Sequence, residues 1–267
     1  MSAGRKLLLM SISRIALGLT DRLLRAAAAL LAAVVGLYSA YALWDNARVY
    51  TAADDVRADM LRLKPDHETD GGASFAELRA VNGDVRAWLT LDGTAIDYPV
   101  LQGTDNMTYL NRDVYGRFAL AGSIFLDAGC DGGFGGAYAL LYGHHMENSL
   151  MFGDLDSYRD AVFFRGNTTG TLLLPEGGHR LTVLACLVVP ASEDAVFQVK
   201  RWQKDAAGLL DFAAENALHL NAAALEAARR SGAQVLGLAT CAADYTDART
   251  VVLASVESDT IPLSTGG

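Results

Sequence analysis

The sequence is poor in cysteine, and the spacing of its thiols excludes two common small-domain architectures. Three cysteines occur in 267 residues, Cys130, Cys186 and Cys241, and no two form a CxxC pair. Distant single cysteines suit neither a disulfide framework nor a zinc knuckle. At most one disulfide could form within the chain, so at least one thiol is expected to be free.

Positive charge is scarce outside the N-terminal segment. The chain has 22 basic and 31 acidic residues, and residues 1–25 contain five of the basic residues but only one acid, Asp21. The remainder therefore has 17 basic and 30 acidic residues. Nucleic-acid binding without sequence preference depends on neutralising phosphates, so this composition argues against a nucleic-acid partner. A hydrophobic fraction of 51% supports a packed core.

One uncharged apolar run is long enough to cross a membrane. Residues 26–44 read AAAALLAAVVGLYSAYALW, and at about 1.5 Å per residue a helix of this length just spans a hydrocarbon core of about 30 Å. Tyr38, Tyr41 and Trp44 collect at one end, where aromatic rings favour the interface. The run therefore predicts a transmembrane anchor.

The flanking charges predict the direction of this anchor. Basic residues precede it and Asp45 follows it, so the positive-inside rule predicts a single-pass cell-membrane protein with a cytoplasmic N-terminus and an extracellular domain. A cleaved signal peptide is the alternative, because Ala40-Tyr41-Ala42 fits a cleavage site. Both interpretations predict that the rest of the chain is exported.

The remaining sequence predicts a mainly β domain after a short linker. We expect a basic N-terminus at 1–25, the anchor at 26–44, a juxtamembrane helix and linker at 45–73, the exported domain at 74–260 and a tail at 261–267. Ser74 and Glu77 have capping-box spacing before a short helix. Eight β-like runs then follow, and with little helix between them they predict a closed barrel. They are Ala87–Leu91, Ile96–Leu101, Ser123–Leu126, Ala139–Tyr142, Thr171–Leu174, Leu181–Val189, Val235–Thr240 and Thr250–Val256.

One sizeable helix is expected between two late strands. Apolar residues recur at helical spacing from Arg201 to Arg230, and Gly232 ends the run. Neither internal repeats nor low-complexity segments interrupt this organisation.

Among the three thiols, Cys241 has the setting of a nucleophile. It ends an apolar strand, GLATC, and the polar residues of 242–247 follow at once. A lone cysteine is more often a small buried hydrophobe, which fits Cys186 inside LTVLACLVV. Cys130 lies in a glycine-rich loop.

Two further residue types could complete a site around this thiol. Arg249 begins the next strand, so a hairpin can return its guanidinium to the thiol, where it would stabilise an oxyanion. His144 and His145 follow another strand and Gly143. The alternatives are a solvated arginine and a surface histidine pair. No carboxylate or further histidine stands at ligand spacing to the pair, so we expect no metal and no cofactor.

The order of these residues and many segments around them resemble the class B sortases of Gram-positive bacteria. The likeness runs from about Phe75 to Val256. Its segments are Trp88-Leu89, Gly93-Thr94-x-Ile96-Asp97-Tyr98-Pro99-Val100, Gln102-Gly103-x-Asp105-Asn106-x-x-Tyr109-Leu110, Gly122-Ser123-Ile124-Phe125-Leu126-Asp127, Tyr142-Gly143-His144, Met151-Phe152-Gly153-Asp154-Leu155, Leu238-x-Thr240-Cys241 and Asp247-Ala248-Arg249.

The resemblance implies an eight-stranded sortase barrel and a membrane-anchored cysteine transpeptidase. It implies that Cys241 attacks the carbonyl after Thr in a sorting signal such as Asn-Pro-x-Thr-Asn/Gly of exported surface proteins, with His144 as proton partner and Arg249 beside the tetrahedral intermediate. An amine of a peptidoglycan precursor or a pilin lysine would resolve the thioester. A sortase-type pilin polymerase and a catalytically idle barrel that binds cell-wall peptides are the alternatives.

The resemblance also implies a set of substrate-binding positions. Thr240 matches a residue beside the oxyanion, and Asn106 and Leu110 match residues that line the substrate groove. Ala239 stands where many relatives have Ser, and His145 stands where many have Asn. Both departures lie next to the peptide site, so they bear on the preferred motif more than on the reaction.

Overall fold

The computed structural model describes residues 3–65, 74–241 and 248–261, and the chain divides into two units, residues 1–48 and 49–267. Three predicted segments lie outside the described residues. They are the flexible joint at 66–73, the polar loop at 242–247 after Cys241 and residues 262–267 of the tail.

The chain begins with a single long helix, α1 (Ala3–Leu61), which continues through the boundaries predicted near residues 25 and 44. Its part from Arg14 onwards is long and apolar enough to cross a membrane. In the second unit, Ala53 and Met60 of this helix are buried in the protein core. The predicted juxtamembrane segment is therefore helical as far as Leu61, and this part of the helix packs into the core.

All eight predicted strands are confirmed, with ends that differ by a few residues, and a two-residue strand, β7, was not predicted. The strands are β1 (Val85–Leu91), β2 (Asp97–Leu101), β3 (Ile124–Leu126), β4 (Tyr138–Gly143), β5 (Thr169–Leu174), β6 (Gly177–Pro190), β7 (His219–Leu220), β8 (Gln234–Thr240) and β9 (Ala248–Ile261).

These strands form the predicted barrel. Their order is β5-β1-β2-β3-β4-β8-β9-β6, and β5 also pairs with β6, which closes the sheet; β7 extends it at β6. The pairs β2–β3 and β4–β8 are parallel and the others are antiparallel. Because β4 and β8 are parallel, their carboxyl ends reach the same edge of the sheet.

Short helices cover the barrel. Ser74 caps α2 (Phe75–Val81), and its backbone N–H donates to the Glu77 carboxylate over 2.7 Å, which confirms the predicted capping box. A 3₁₀ helix (Gly153–Arg159) and α3 (Ala161–Gly166) follow β4. The later helices are α4 (Asp194–Phe197), a 3₁₀ helix (Val199–Trp202), α5 (Ala207–Asn216) and α6 (Ala222–Ser231).

The single helix predicted from Arg201 to Arg230 is wrong. The segment contains two ten-residue helices, α5 and α6, separated at 217–221. There the Leu218 amide donates to the Cys186 carbonyl and the Asn221 amide donates to the Leu184 carbonyl, both over 2.8 Å. Pairing with β6 thus replaces helical hydrogen bonds that the apolar periodicity alone would favour. Gly232 ends α6 in the left-handed conformation (φ 65°), as predicted.

Candidate active site

Cys241 directly follows the carboxyl end of β8, with its backbone fixed to the end of β4. Its amide donates to the Gly143 carbonyl over 2.7 Å, and Gly143 pairs with Thr240 in the parallel ladder. His144 and Cys241 are therefore the first residues beyond two neighbouring parallel strands. The half-buried thiol packs beside the smaller of two apolar cores, which includes Phe125.

Arg249 enters the same edge from β9. Leu238 pairs with Val252 and Ala239 with Val251, and continuing this antiparallel register by two residues places Arg249 opposite Cys241. The Nη1 atom of Arg249 is buried and has no hydrogen-bond partner among the described residues. A buried guanidinium N–H is therefore available to an acceptor beside the thiol.

The thiol at this edge is held protonated at neutral pH. Burial raises the pKa of Cys241 to about 11, and the charge of Arg249 opposes that rise. Burial also raises the pKa of Cys130 to about 11 and that of Cys186 to about 12, and the charge of Arg159 opposes the rise at Cys186. Both are buried, as predicted for Cys186, whereas Cys241 is partly exposed.

His144 is half-buried and contacts the loop between β2 and β3. Its Nε2 lies 2.7 Å from the Leu110 carbonyl oxygen, which can only accept, so Nε2 carries a proton. In the described part of the chain no hydrogen bond joins His144 to Cys241. The imidazole and the loop that carries the predicted groove residue Leu110 are thus directly linked.

Asn106 is exposed on that loop and is fixed by a carboxylate that sequence reasoning missed. Its Nδ2 donates to Asp127 Oδ2 over 2.8 Å, and the Tyr142 hydroxyl donates to the same oxygen over 3.0 Å. Burial and the Asp127 charge raise the pKa of Tyr142 far above its usual range. A charged residue directly after an apolar strand was the available signal for Asp127.

The two residues before Cys241 are buried. The Thr240 hydroxyl accepts from the Thr250 amide over 3.2 Å, and the Ala239 side chain has no exposed surface. Neither side chain presents itself to solvent in this structure. Any contact of these residues with a substrate would involve the backbone, or a side chain exposed by movement.

A glycine before a histidine pair predicts a tight turn at Gly143, but in the structure Gly143 is required by packing and the turn lies elsewhere. A Cβ there would lie too close to Ile124 Cδ1 and 2.8 Å from Phe152 Cγ. The tight turn lies further on, where Asn148, Ser149 and Met151 have positive φ. His145 forms a bridge with Met151 across this turn.

Comparison with known proteins identifies the family. No family model matches the chain. Sortase B of Listeria monocytogenes is 34% identical over 129 residues, 48% of this chain and 52% of the relative. Sortase B of Staphylococcus aureus is 35% identical over 102 residues, 38% of this chain and 42% of the relative. The matched segments thus span about half, or less, of these curated relatives.

A solved structure extends the likeness to a whole domain. A Streptococcus pyogenes class B sortase, described as involved in pilus biogenesis, is 30% identical, with a TM-score of 0.59. The match covers 68% of this chain and 97% of that structure. The barrel and its edge belong to the sortase fold. The chain is a member of the class B sortases.

Proposed function

We propose that the chain is a membrane-anchored cysteine transpeptidase that cleaves an Asn-Pro-x-Thr-like sorting signal of exported proteins and transfers them to a cell-wall amine. The observation that carries this proposal is the buried Nη1 of Arg249, which has no hydrogen-bond partner among the described residues, at the edge where Cys241 and His144 follow neighbouring strands. Membership of the class B sortases supports it.

In the first half-reaction Cys241, as thiolate, attacks the carbonyl carbon of the Thr residue in the signal. The carbonyl oxygen gains the negative charge, and the Arg249 guanidinium donates a hydrogen bond to it. Protonated His144 gives its proton to the amide nitrogen as the carbon–nitrogen bond breaks. The products are an acyl-thioester on Cys241 and the released amine of the C-terminal fragment.

The second half-reaction reverses these roles. The acceptor amine attacks the thioester carbonyl, neutral His144 takes the proton of that amine, and the Cys241 thiolate leaves. Arg249 again stabilises the oxyanion. A new amide then joins the exported protein to the acceptor, and both side chains return to their starting charges.

Because the Cys241 thiol is mostly protonated at neutral pH, we expect slow turnover. With a Cys241 pKa of about 11, roughly one thiol in 10⁴ is ionised at pH 7. The ion pair of thiolate and imidazolium is therefore a minor form of the free enzyme. Substrate binding that brings a carbonyl oxygen to Arg249 would fix this cation beside the thiol.

The acceptor separates two candidate functions. A peptidoglycan-precursor amine would make the protein a cell-wall anchoring enzyme, and a pilin lysine would make it a pilin polymerase. The Streptococcus pyogenes relative is described as involved in pilus biogenesis, which supports the pilin polymerase as a candidate. In both, α1 would anchor the enzyme, with the N-terminus in the cytoplasm and residues after Asp45 outside the cell.

The test uses the full-length chain in detergent with an Asn-Pro-Gln-Thr-Asn peptide and either triglycine or a lysine-containing pilin-like peptide. We expect a thioester on Cys241 by mass spectrometry and a peptide–amine product with one acceptor. Cys241→Ala should form neither. Product formation by Cys241→Ala would overturn the proposal, and peptide binding without cleavage by the wild type would identify an idle binding barrel.

A further inference from the structure

Each of the three proposed catalytic residues has an immediate chain neighbour in a second, connected set. His145 follows His144, Thr240 precedes Cys241, and Thr250 follows Arg249. Successive side chains of a strand face opposite sides, so Thr240 and Thr250 face away from the side that Cys241 and Arg249 share. The second set therefore lies behind the first.

One carboxylate, Asp156, joins this second set. Its Oδ2 lies 3.1 Å from His145 Nε2, and its Oδ1 accepts from the Thr250 hydroxyl. The Thr250 amide donates to the Thr240 hydroxyl over 3.2 Å. The resulting chain, His145–Asp156–Thr250–Thr240, connects the ends of β4, β9 and β8, and we refer to it as the rear network.

The two threonines of the rear network, on β8 and β9, are more deeply buried than its histidine and its carboxylate. Thr240 and Thr250 are 6% and 4% exposed, whereas the His145 and Asp156 side chains are 32% and 40% exposed. A buried hydroxyl that loses its partner is costly, so the threonine side is expected to hold its geometry firmly. The partly exposed contact between His145 and Asp156 then joins the turn after β4 to the threonines.

We propose that the rear network positions His144 and Arg249 relative to Cys241, with His145, Asp156 and Thr250 as positioning residues that never touch the substrate. The proposal rests on the proposed function for its kinetic consequence. Its physical basis is that three strand ends, each carrying one reacting group, are cross-linked one residue away from that group. Small misplacements of reacting groups cost up to about 10²-fold in rate.

Isosteric substitutions separate positioning from folding. Thr250→Val keeps the shape but removes the hydroxyl, and Thr250→Ser keeps the hydroxyl. We expect kcat to fall about ten- to a hundredfold in Thr250→Val and Asp156→Ala with KM within about threefold, and Thr250→Ser to recover most of the loss. His145→Gln, whose amide nitrogen can approach the place of Nε2, should retain more kcat than His145→Ala.

The matched control is His219→Ala. His219 Nε2 lies 2.9 Å from the Arg159 carbonyl oxygen, so it holds the other end of the 3₁₀ helix that carries Asp156. It does not belong to the rear network. Wild-type kcat in His219→Ala, alongside the loss in His145→Ala at matched melting temperature, supports positioning. Equal kcat losses in these two variants would overturn it.

A second readout does not depend on transpeptidation. Alkylation of Cys241 by iodoacetamide, in which the thiolate displaces iodide, follows the thiolate fraction, which depends on the nearby Arg249 cation. We expect the pH midpoint of alkylation to move upward in Thr250→Val and Asp156→Ala but not in Thr250→Ser or His219→Ala. Identical midpoints in all variants would overturn the inference. If the midpoints shift as expected but the wild type forms no thioester with the peptide, the proposed function is overturned and the positioning role of the rear network is not.

Discussion

The amide of Cys241 donates to the carbonyl of Gly143 over 2.7 Å, so the backbone of the proposed nucleophile is fixed to the residue directly before its proton partner. This contact depends on the parallel pairing of β4 with β8. Gly143 packs against Ile124 and Phe152 with no room for a Cβ. Packing beneath the strand end thus sets the approach of the two reacting groups.

Gly143→Ala is expected to damage both stability and activity. The new methyl group must displace both the end of the Ile124 side chain and the Phe152 ring, and overpacking of this kind costs about 1–3 kcal/mol. The shift would also move His144 relative to Cys241. Denaturant unfolding and peptide-cleavage kinetics measure the two effects. Gly83→Ala is the control, since a Cβ at Gly83 meets no atom within 4 Å. Equal behaviour of the two variants would contradict this account.

Alkylation should distinguish Cys241 from the other two thiols. Its partial exposure makes it the first to react, and with a pKa of about 11 its rate should rise about tenfold per pH unit between pH 7 and 10. Modification should abolish peptide cleavage. Cys186→Ala should stay active and lose roughly 1–2 kcal/mol of stability, because Cys186 is fully buried. Peptide mapping identifies the labelled residue. Loss of activity in a protein that is labelled only at Cys130 or Cys186 would argue against Cys241 as the nucleophile.

Arg249 should act on both the thiol and the oxyanion. Its cation lowers a thiol pKa that burial raises, so Arg249→Ala should move the alkylation midpoint to higher pH and slow alkylation at pH 8. Arg249→Lys retains a charge and should shift the midpoint less. Loss of an oxyanion donor costs about 10²–10³ in kcat, and stopped-flow alkylation with steady-state kinetics gives both numbers. An unchanged midpoint in Arg249→Ala would place the guanidinium away from the thiol.

The strands were predictable because their pattern is local. Runs such as Thr171–Leu174 and Val235–Thr240 carry β-branched and apolar residues between turn residues, and every such run is a strand of the barrel. The stretch from Arg201 to Arg230 failed because its helix is interrupted by hydrogen bonds to Cys186 and Leu184 of β6. Periodicity contains no information about such a distant partner.

For the candidate site, too, some residues were predictable from the sequence and others were not. His144, Cys241 and Arg249 were predicted from motifs and a family resemblance, and the strand register brings their positions to one edge. The bond of Thr250 to Asp156 joins residues 94 apart, and each residue type is common in solvated turns. The sequence therefore offered no reason to connect them.

The proposed membrane anchor implies a definite topology. Apolar residues of α1 from Arg14 onwards could cross a membrane, and the basic flank before residue 26 favours a cytoplasmic N-terminus. External protease added to intact cells should digest the domain beyond residue 45. A cytoplasmic marker should survive the same treatment. Full protection of the domain, while a known surface protein is digested, would reverse the orientation proposed here.

The last prediction separates His144 from His145. His144 Nε2 contacts the Leu110 carbonyl on the loop between β2 and β3, whereas His145 Nε2 contacts Asp156 of the rear network. His144→Ala should therefore lose about 10²–10⁴ of kcat/KM, the usual cost of removing a general acid–base group. His145→Asn should stay within about tenfold of wild type, because a positioning contact can weaken without removing the proton donor.

The two histidine variants also differ in how the rate depends on pH. The fall of the wild-type kcat/KM at high pH should disappear in His144→Ala and persist in His145→Asn, since only the first change removes a group that must carry a proton for the reaction. Circular dichroism confirms that both variants are folded before the rates are compared. Equal losses in the two folded variants would show that the turn after Gly143 has a different register. Loss confined to His145→Asn would assign the proton transfer to His145 and would place Asp156, not Leu110, beside the reacting imidazole.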